Sequence, residues 1–234
     1  MRQPTEESFL KDIAQHEMKV LLDSRTHRHL RFRQRGSSNM WFELVTWPGS
    51  LAYSGDMGCF VFSRLEDMFE FFRTEYGEGQ KLRINPSYWG EKLEAVDRLG
   101  HRDSGHREFS EGKLRKHVED AIKTWVEECD EPYDASDEDV AAAKAAFKAE
   151  LREAIEEDVY YHFDEGEHEA RKAVNDFQRK IGDQTYNFQE TWEWDCDDYT
   201  YRFIWCCYAL AWAIQTYDKA SIATPEAALT EVSK

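Results

Sequence analysis

The sequence predicts an α+β fold, with an antiparallel sheet of about five strands in residues 16–64 packed beside a helical domain. Three observations favour this fold class. Short segments of alternating polarity, separated by turn-forming residues, fill residues 16–64. Amphipathic helical patterns follow further along the chain. Near the end, residues 203–214, FIWCCYALAWAI, contain no charged side chain, which is typical of a helix in a protein core.

The strand segments follow a short predicted helix at residues 4–15, for which Thr5 is the expected N-cap. Turns separate the segments at RGSSN, at Pro48-Gly49 and at GDMG, where a tight turn explains both glycines better than a phosphate-binding loop. On the second strand, the alternation places Leu30 and Phe32 toward the core and His29, Arg31 and Arg33 on the other face. The predicted strands are MKVLLD (18–23), RHLRFR (28–33), MWFELVTW (40–47), SLAYSG (50–55) and CFVFSR (59–64).

Helices are predicted from near Leu65 and in four later segments, at residues 87–98, 113–128, 137–163 and 167–181. A last helix at 197–217 is apolar on every face, with Asp195, Asp197 and Asp198 near its start. Its uncharged run is much shorter than the roughly 20 residues of a bilayer span, so we predict a buried core helix. The expected domains are residues 1–98, containing the sheet, and residues 99–234, containing the helices.

Charge is concentrated in one block of the chain. The net charge is −17, and residues 127–169 hold 17 acidic and 3 basic residues. Ser136 is the expected N-cap of an acidic helix in this block. Because the later glutamates recur at spacings of three and four, they are predicted to form one negative face. The acidic candidates for partner binding are Asp137, Glu138, Asp139, Glu150, Glu153, Glu156, Glu157 and Asp158.

The composition disfavours several function classes. A strongly anionic protein is a poor direct ligand for nucleic acid or for anionic membranes, because both require a cationic surface. The five cysteines are odd in number and include the neighbours Cys206 and Cys207, a pattern that favours reduced thiols in a cytoplasm over a disulfide framework. The first 15 residues lack the apolar run of a secretory signal. No motif indicates a cofactor.

Three clusters leave alternatives open. The segment HFDEGEH (162–168) contains ligands of zinc or manganese, but its spacing matches no established motif. HRDSGH (101–106) is better explained as a solvated loop. Arginines around the second strand suggest a cationic face, with Arg31 and Arg33 as further contact candidates; a charged edge that prevents aggregation is the simpler explanation. The clustered arginines are Arg25, Arg28, Arg31, Arg33 and Arg35.

Several stretches of the chain form a distinctive set: PTEESFLKDIAQHEMKV, RHLRFR, TWPGSLAYSGDMG, INPSYWGEKLEAVDR and YTYRFIWCCYALAWAIQTYD. Together they resemble a family of small accessory proteins of tailed phages and bacterial prophages. The resemblance covers residues 4–98 and 192–218, and its most specific stretch is TWPGSLAYSGDMG. The resemblance implies a bacterial host cytoplasm during infection or lysogeny, and it implies no catalytic residues.

The favoured hypothesis is a phage-encoded binding protein, not an enzyme, that inhibits a host anti-phage complex with a basic surface. Such a complex could be a CRISPR effector, a restriction enzyme or another defence nuclease, and inhibition could involve imitation of DNA. The acidic block supplies the physical reason, since its field attracts basic channels. Two alternatives remain: a metal-assisted enzyme using His162, Asp164 and His168, and a homo-oligomeric assembly protein in which the arginine-rich strand meets the acidic block.

Overall fold

The computed structural model describes residues 3–73, 82–97, 105–129 and 136–222. They divide into two compact units: a sheet unit of residues 1–108 and 199–234, and a helical unit of residues 109–198. This division differs from the expected domains, because the final helix belongs to the sheet unit. Its apolar side chains share one core with the inner face of the sheet. The expected boundary at residues 98 and 99 lies outside the described residues.

The sheet unit contains a six-stranded antiparallel sheet in which sequence neighbours are spatial neighbours. The α+β class and the five predicted strands are confirmed, and a sixth strand is added at one edge. The strands are β1 (His16–Ser24), β2 (His27–Gln34), β3 (Phe42–Trp47), β4 (Ser50–Gly55), β5 (Gly58–Ser63) and β6 (Leu93–Val96). The helices of this unit are α1 (Glu6–Asp12), α2 (Met68–Phe72), α3 (Pro86–Gly90) and α7 (Tyr201–Ile222).

The pairing register of the strands places the large apolar side chains on one face of the sheet, and this face packs against α1 and α7. Leu30 pairs with Leu44 and Phe32 with Phe42 across β2 and β3, and all four are fully buried. The alternation predicted for β2 is therefore confirmed.

The final helix supplies the other side of this core. In α7, Trp205, Cys206 and Cys207 are fully buried, and the Trp205 ring lies 5.0 Å from that of Phe9 on α1. The prediction of a buried aromatic core helix is confirmed. Its start differs from the prediction: α7 begins at Tyr201, where the Thr200 hydroxyl accepts a hydrogen bond from the Phe203 N–H at 3.2 Å. The predicted aspartates precede the helix.

The predicted helix over residues 87–98 is largely wrong. Only α3 is helical there, with Asn85 as its N-cap, and residues 93–96 form β6, which pairs with β5. The strong helix formers in EKLEAV give way because an edge strand satisfies backbone groups of β5 and covers its open side. The turn at GDMG is confirmed: Gly55 pairs with Gly58, and a Cβ at Gly55 would lie 2.3 Å from the Trp41 carbonyl oxygen.

The helical unit is built around three α-helices. Leu114, Val118 and Ile122 of α4 (Glu111–Glu128) pack into a core with Ala154 and Ile155 of α5 (Asp137–Asp158), which confirms the amphipathic helix predicted at residues 113–128. Residues 178–181, predicted to extend the preceding helix, form a strand of a hairpin instead. The elements are α4 (Glu111–Glu128), α5 (Asp137–Asp158), a 3₁₀ helix (Tyr160–Glu165), α6 (Glu167–Asp176), β8 (Gln178–Ile181), β9 (Gln184–Asn187) and a second 3₁₀ helix (Thr191–Glu193).

Two short strands, β7 (Arg107–Phe109) and β10 (Asp197–Tyr199), pair with each other. No helix in the described parts of the chain is long and apolar enough to cross a membrane.

Candidate functional surface: the acidic face of α5

The acidic helix begins as the sequence predicts. The Ser136 hydroxyl accepts a hydrogen bond from the Asp139 N–H at 3.2 Å, and the Asp139 carboxylate accepts one in return from the Ser136 backbone N–H at 3.4 Å. This reciprocal capping box satisfies two backbone donors at the helix start. Asp139 therefore has a structural role, while Asp137 and Glu138 lie beside it in the first turn, exposed to solvent.

Four glutamates form a continuous acidic face on the second half of α5. At 100° per residue, Glu150, Glu153, Glu156 and Glu157 fall within a sector of roughly 120°. All four are exposed. The opposite side of the same segment is buried through Leu151, Ala154 and Ile155. The packing of one side thus determines that the glutamate side faces solvent.

The acids of α5 form two clusters rather than one row. Residues 140–149, VAAAKAAFKA, contain no acid and separate Asp139 from Glu150. With a helical rise of 1.5 Å per residue, the clusters lie about 16 Å apart along the axis. The surface between the two clusters carries alanines and two lysines, Lys144 and Lys148, instead of acids.

The four glutamates remain uncompensated. Among the residues that the structure describes, none of the four has an ion-pair or hydrogen-bond partner. Two neighbouring acids, by contrast, do have basic partners. Asp158 lies 3.7 Å from Arg179, and Glu119 on α4 accepts a hydrogen bond of 2.6 Å from Arg152. Glu119 also accepts a bond of 3.1 Å from the Tyr160 hydroxyl; burial, then the nearby Glu119 charge, raises the pKa of that phenol.

The two predicted arginines lie in the sheet unit, on the face away from the core. Arg31 is half-buried, and its Nε donates to the Glu43 carboxylate, which also contacts His29 Nε2 at 2.5 Å. Burial of Glu43 raises its pKa, but the hydrogen bonds from His29 and Arg31 outweigh this and lower it overall. Arg33 is exposed. Arg31 is thus occupied within its own sheet.

Arg28, which the sequence placed in the same cationic cluster, is buried instead. Its guanidinium donates two hydrogen bonds of 2.8 Å to Asp67, the N-cap of α2. Sequence pattern alone gave no signal for this pairing, because 39 residues separate the partners.

The proposed metal ligands are not gathered into a site. His162 Nδ1 contacts Glu165 at 2.8 Å, whereas His168 is largely exposed on α6. The two histidines line different grooves, of about 270 Å³ and 360 Å³. Within the described ranges, no group of three or more histidine, cysteine, aspartate or glutamate side chains could hold a metal ion. Of the loop HRDSGH, residues 101–104 lie outside the described residues.

The cysteines are free thiols. Burial raises the pKa of Cys206 and Cys207 well above the usual thiol value. Since the thiolate is the reactive form, these two side chains act as apolar core residues.

Two exposed aromatic side chains of the helical unit escaped the sequence analysis. Trp192 and Tyr161 are 77% and 70% exposed, although aromatic side chains usually contribute to cores. Trp192 lies between the polar residues Thr191 and Glu193, and this polar context was the available signal; Tyr161 follows Tyr160, so no such signal was present there. Comparisons with protein-family models, curated proteins and solved structures found no match.

Proposed function

We propose that this protein is a phage-encoded inhibitor that binds a basic surface of a host anti-phage complex through the acidic face of α5. One observation supports the assignment most directly: four exposed glutamates within one sector of α5 have no ion-pair partner among the described residues. A cationic partner gains attraction from all four, while none must first break an internal ion pair. Such fields raise association rates and weaken as salt increases.

The gap between the two acidic clusters bears on the mode of binding. Phosphates recur every 3.4 Å along one strand of a duplex, whereas about 16 Å of helix that contains two lysines and no acid separates Asp139 from Glu150. The spacing supports charge complementarity with discrete basic patches over imitation of a continuous phosphate row by α5 alone. The second cluster, Glu150 to Asp158, is the proposed main contact.

The test is a tagged pull-down from bacteria that carry several defence systems, washed at low and high salt. The decisive variant replaces Glu150, Glu153, Glu156 and Glu157 with glutamine. A matched control makes the same change in net charge on exposed glutamates of the sheet unit: Glu17, Glu66, Glu70 and Glu94.

We expect the native protein and the control to retain a defence nuclease or CRISPR subunit at low salt and to inhibit its purified activity. The α5 variant should lose both properties while remaining folded. Equal inhibition by the two variants would reject α5 as the contact. Absence of inhibition by the native protein would reject the function itself.

A second candidate function is assembly of identical chains. Arg25, Arg33 and Arg35 are exposed and have no ion-pair partner within the described part of the chain, so they offer a cationic counterpart to the acidic face. Light scattering across a salt series tests this alternative: a mass that falls from oligomer to monomer as salt rises would support it, and a monomer throughout would reject it.

A further inference from the structure

Trp192 stands at the mouth of a cleft in the helical unit. The indole is 77% exposed, and it belongs to the short 3₁₀ helix Thr191–Glu193. The preceding residue, Glu190, adopts left-handed backbone angles of φ 52° and ψ 35°, which cost free energy for a residue other than glycine. Strained backbone of this kind tends to occur at functional sites. An unfavourable local conformation thus accompanies an aromatic ring left in solvent.

The opposite wall of the cleft is one face of α6. His168, Arg171, Lys172 and Asn175 follow the helical spacing of three and four, so they form a single stripe. Three of these side chains are basic, in a unit that is otherwise strongly acidic. The stripe is therefore a local exception to the charge of its surroundings.

Two basic side chains of the stripe, Arg171 and Lys172, differ in whether they form ion pairs. Arg171 is positioned by Glu167 at 2.9 Å and Asp197 at 3.2 Å. Lys172 is exposed and has no ion-pair partner among the described residues. A ligand can therefore contact a fixed guanidinium whose charge is shared and an ammonium whose charge is not.

The cleft has the size and floor of a small-ligand site. It is an open groove with a volume of about 360 Å³, at the lower end of the range for small-molecule pockets. Its floor includes the side chains of Leu114 and Val174, both buried. The hydroxyl of Thr191 donates to Asn175 at 3.2 Å and links the two walls. An apolar floor, an aromatic wall and a basic stripe together favour a flat ring with an acidic substituent.

We propose that this cleft binds a small aromatic anion, stacked on Trp192 with its phosphate or carboxylate directed to Lys172. Stacking supplies most of the binding free energy, because the ring is sequestered between the indole and the apolar floor. The ammonium supplies selectivity for the anion. This site is separate from the acidic face of α5 and does not depend on the proposed inhibitory function.

The test follows the indole N–H signals of ¹⁵N-labelled protein during ligand titration. The chain has eight tryptophans, and the signal missing from Trp192→Phe identifies Trp192. Adenosine 5′-monophosphate and benzoate probe the phosphate and the carboxylate; adenosine and inorganic phosphate supply the ring alone and the charge alone. Trp192→Ala and Lys172→Gln test the two contacts. Tyr161→Ala, which removes a similarly exposed aromatic side chain outside this cleft, is the matched control.

We expect adenosine 5′-monophosphate or benzoate to shift the Trp192 signal with Kd on the order of 1 mM or below. The ligand that binds more tightly shows whether the site prefers a phosphate or a carboxylate. Trp192→Ala lacks the Trp192 signal, so its binding is followed through the backbone amide signals of Lys172 and Asn175 in the same titration; it should weaken binding about tenfold or more, as for other aromatic stacking contacts. Lys172→Gln should weaken binding of the aromatic anion but not binding of adenosine. Tyr161→Ala should leave the binding of both ligands unchanged. No shift with either anion at about 10 mM, or equal binding of adenosine and its monophosphate, would overturn the proposal.

Discussion

The guanidinium of Arg28 donates two parallel hydrogen bonds of 2.8 Å to the two carboxylate oxygens of Asp67. The same group lies 4.5 Å from the centre of the Phe69 ring and 5.6 Å from that of Tyr217. One buried charge on β2 is therefore held by α2 and α7 together. The pair contributes to the assembly of the sheet unit rather than to its surface.

Replacing Arg28 with methionine should lower the free energy of unfolding by about 3 kcal/mol. The substitution retains an apolar stem but leaves the Asp67 carboxylate, largely shielded from solvent, without its cation, and unpaired buried charges are costly. Urea denaturation measures the change. Arg33→Met, on the exposed part of the same strand, is the control and should change stability by less than about 0.5 kcal/mol. Equal effects of the two substitutions would contradict the buried-pair interpretation.

The same pair predicts a dependence of stability on acid. Burial raises the pKa of Asp67, but hydrogen bonds from Arg28 and from the Phe69 N–H outweigh it and lower the pKa overall. The Asp67 carboxylate therefore binds a proton less tightly in the folded protein than in the unfolded chain. This contribution to stability is complete above the ordinary aspartate pKa of about 4 and is lost as the pH falls through the lower folded value.

Asp67→Asn should remove that part of the acid dependence. The free energy of unfolding is measured at neutral pH and at about pH 3 for both proteins. It should fall more between these two pH values in the native protein than in the Asp67→Asn variant. An identical loss in both proteins would show that other carboxylates account for the acid sensitivity.

Tyr53→Phe should stabilise the protein by about 1 kcal/mol. The hydroxyl is buried and has no hydrogen-bond partner within the described residues, and such a group costs free energy that the phenylalanine would not. Thermal unfolding measures the change. Tyr217→Phe is the control, because its hydroxyl donates to Asp23 at 2.8 Å; this substitution should be neutral or destabilising. A destabilised Tyr53→Phe variant would indicate that the hydroxyl has a partner.

Ser136→Ala should lower stability by about 1 kcal/mol through loss of the α5 N-cap. Circular dichroism during urea denaturation measures it. Ser136→Asp, which retains a capping oxygen, should recover most of the loss. Equal destabilisation by alanine and aspartate would argue against a capping role.

Glutamine at Glu150, Glu153, Glu156 and Glu157 should leave the unfolding free energy unchanged or slightly raised. These carboxylates are exposed and repel each other without internal partners among the described residues. By contrast, Glu119→Gln should destabilise the unit, because Glu119 joins Arg152 and Tyr160. Differential scanning calorimetry compares the variants. A large loss of stability in the fourfold variant would mean that the acidic face is structural.

Local features were predictable from the sequence because neighbouring residues determine them. The alternation around Leu30 and Phe32 placed β2 correctly, and short polar side chains at Thr5 and Ser136 marked two helix starts. The uncharged segment within α7 indicated burial on all sides. The common face of the four α5 glutamates also followed from their spacing of three and four residues.

Only the tertiary structure decided which distant segments share a core. It joined α7 to the sheet, converted residues 93–96 from a predicted helix into an edge strand, and buried Arg28 against Asp67. It also left Trp192 exposed beside a cleft. Periodicity and capping report interactions over a few residues, whereas these outcomes depend on surfaces that meet only after the chain has folded.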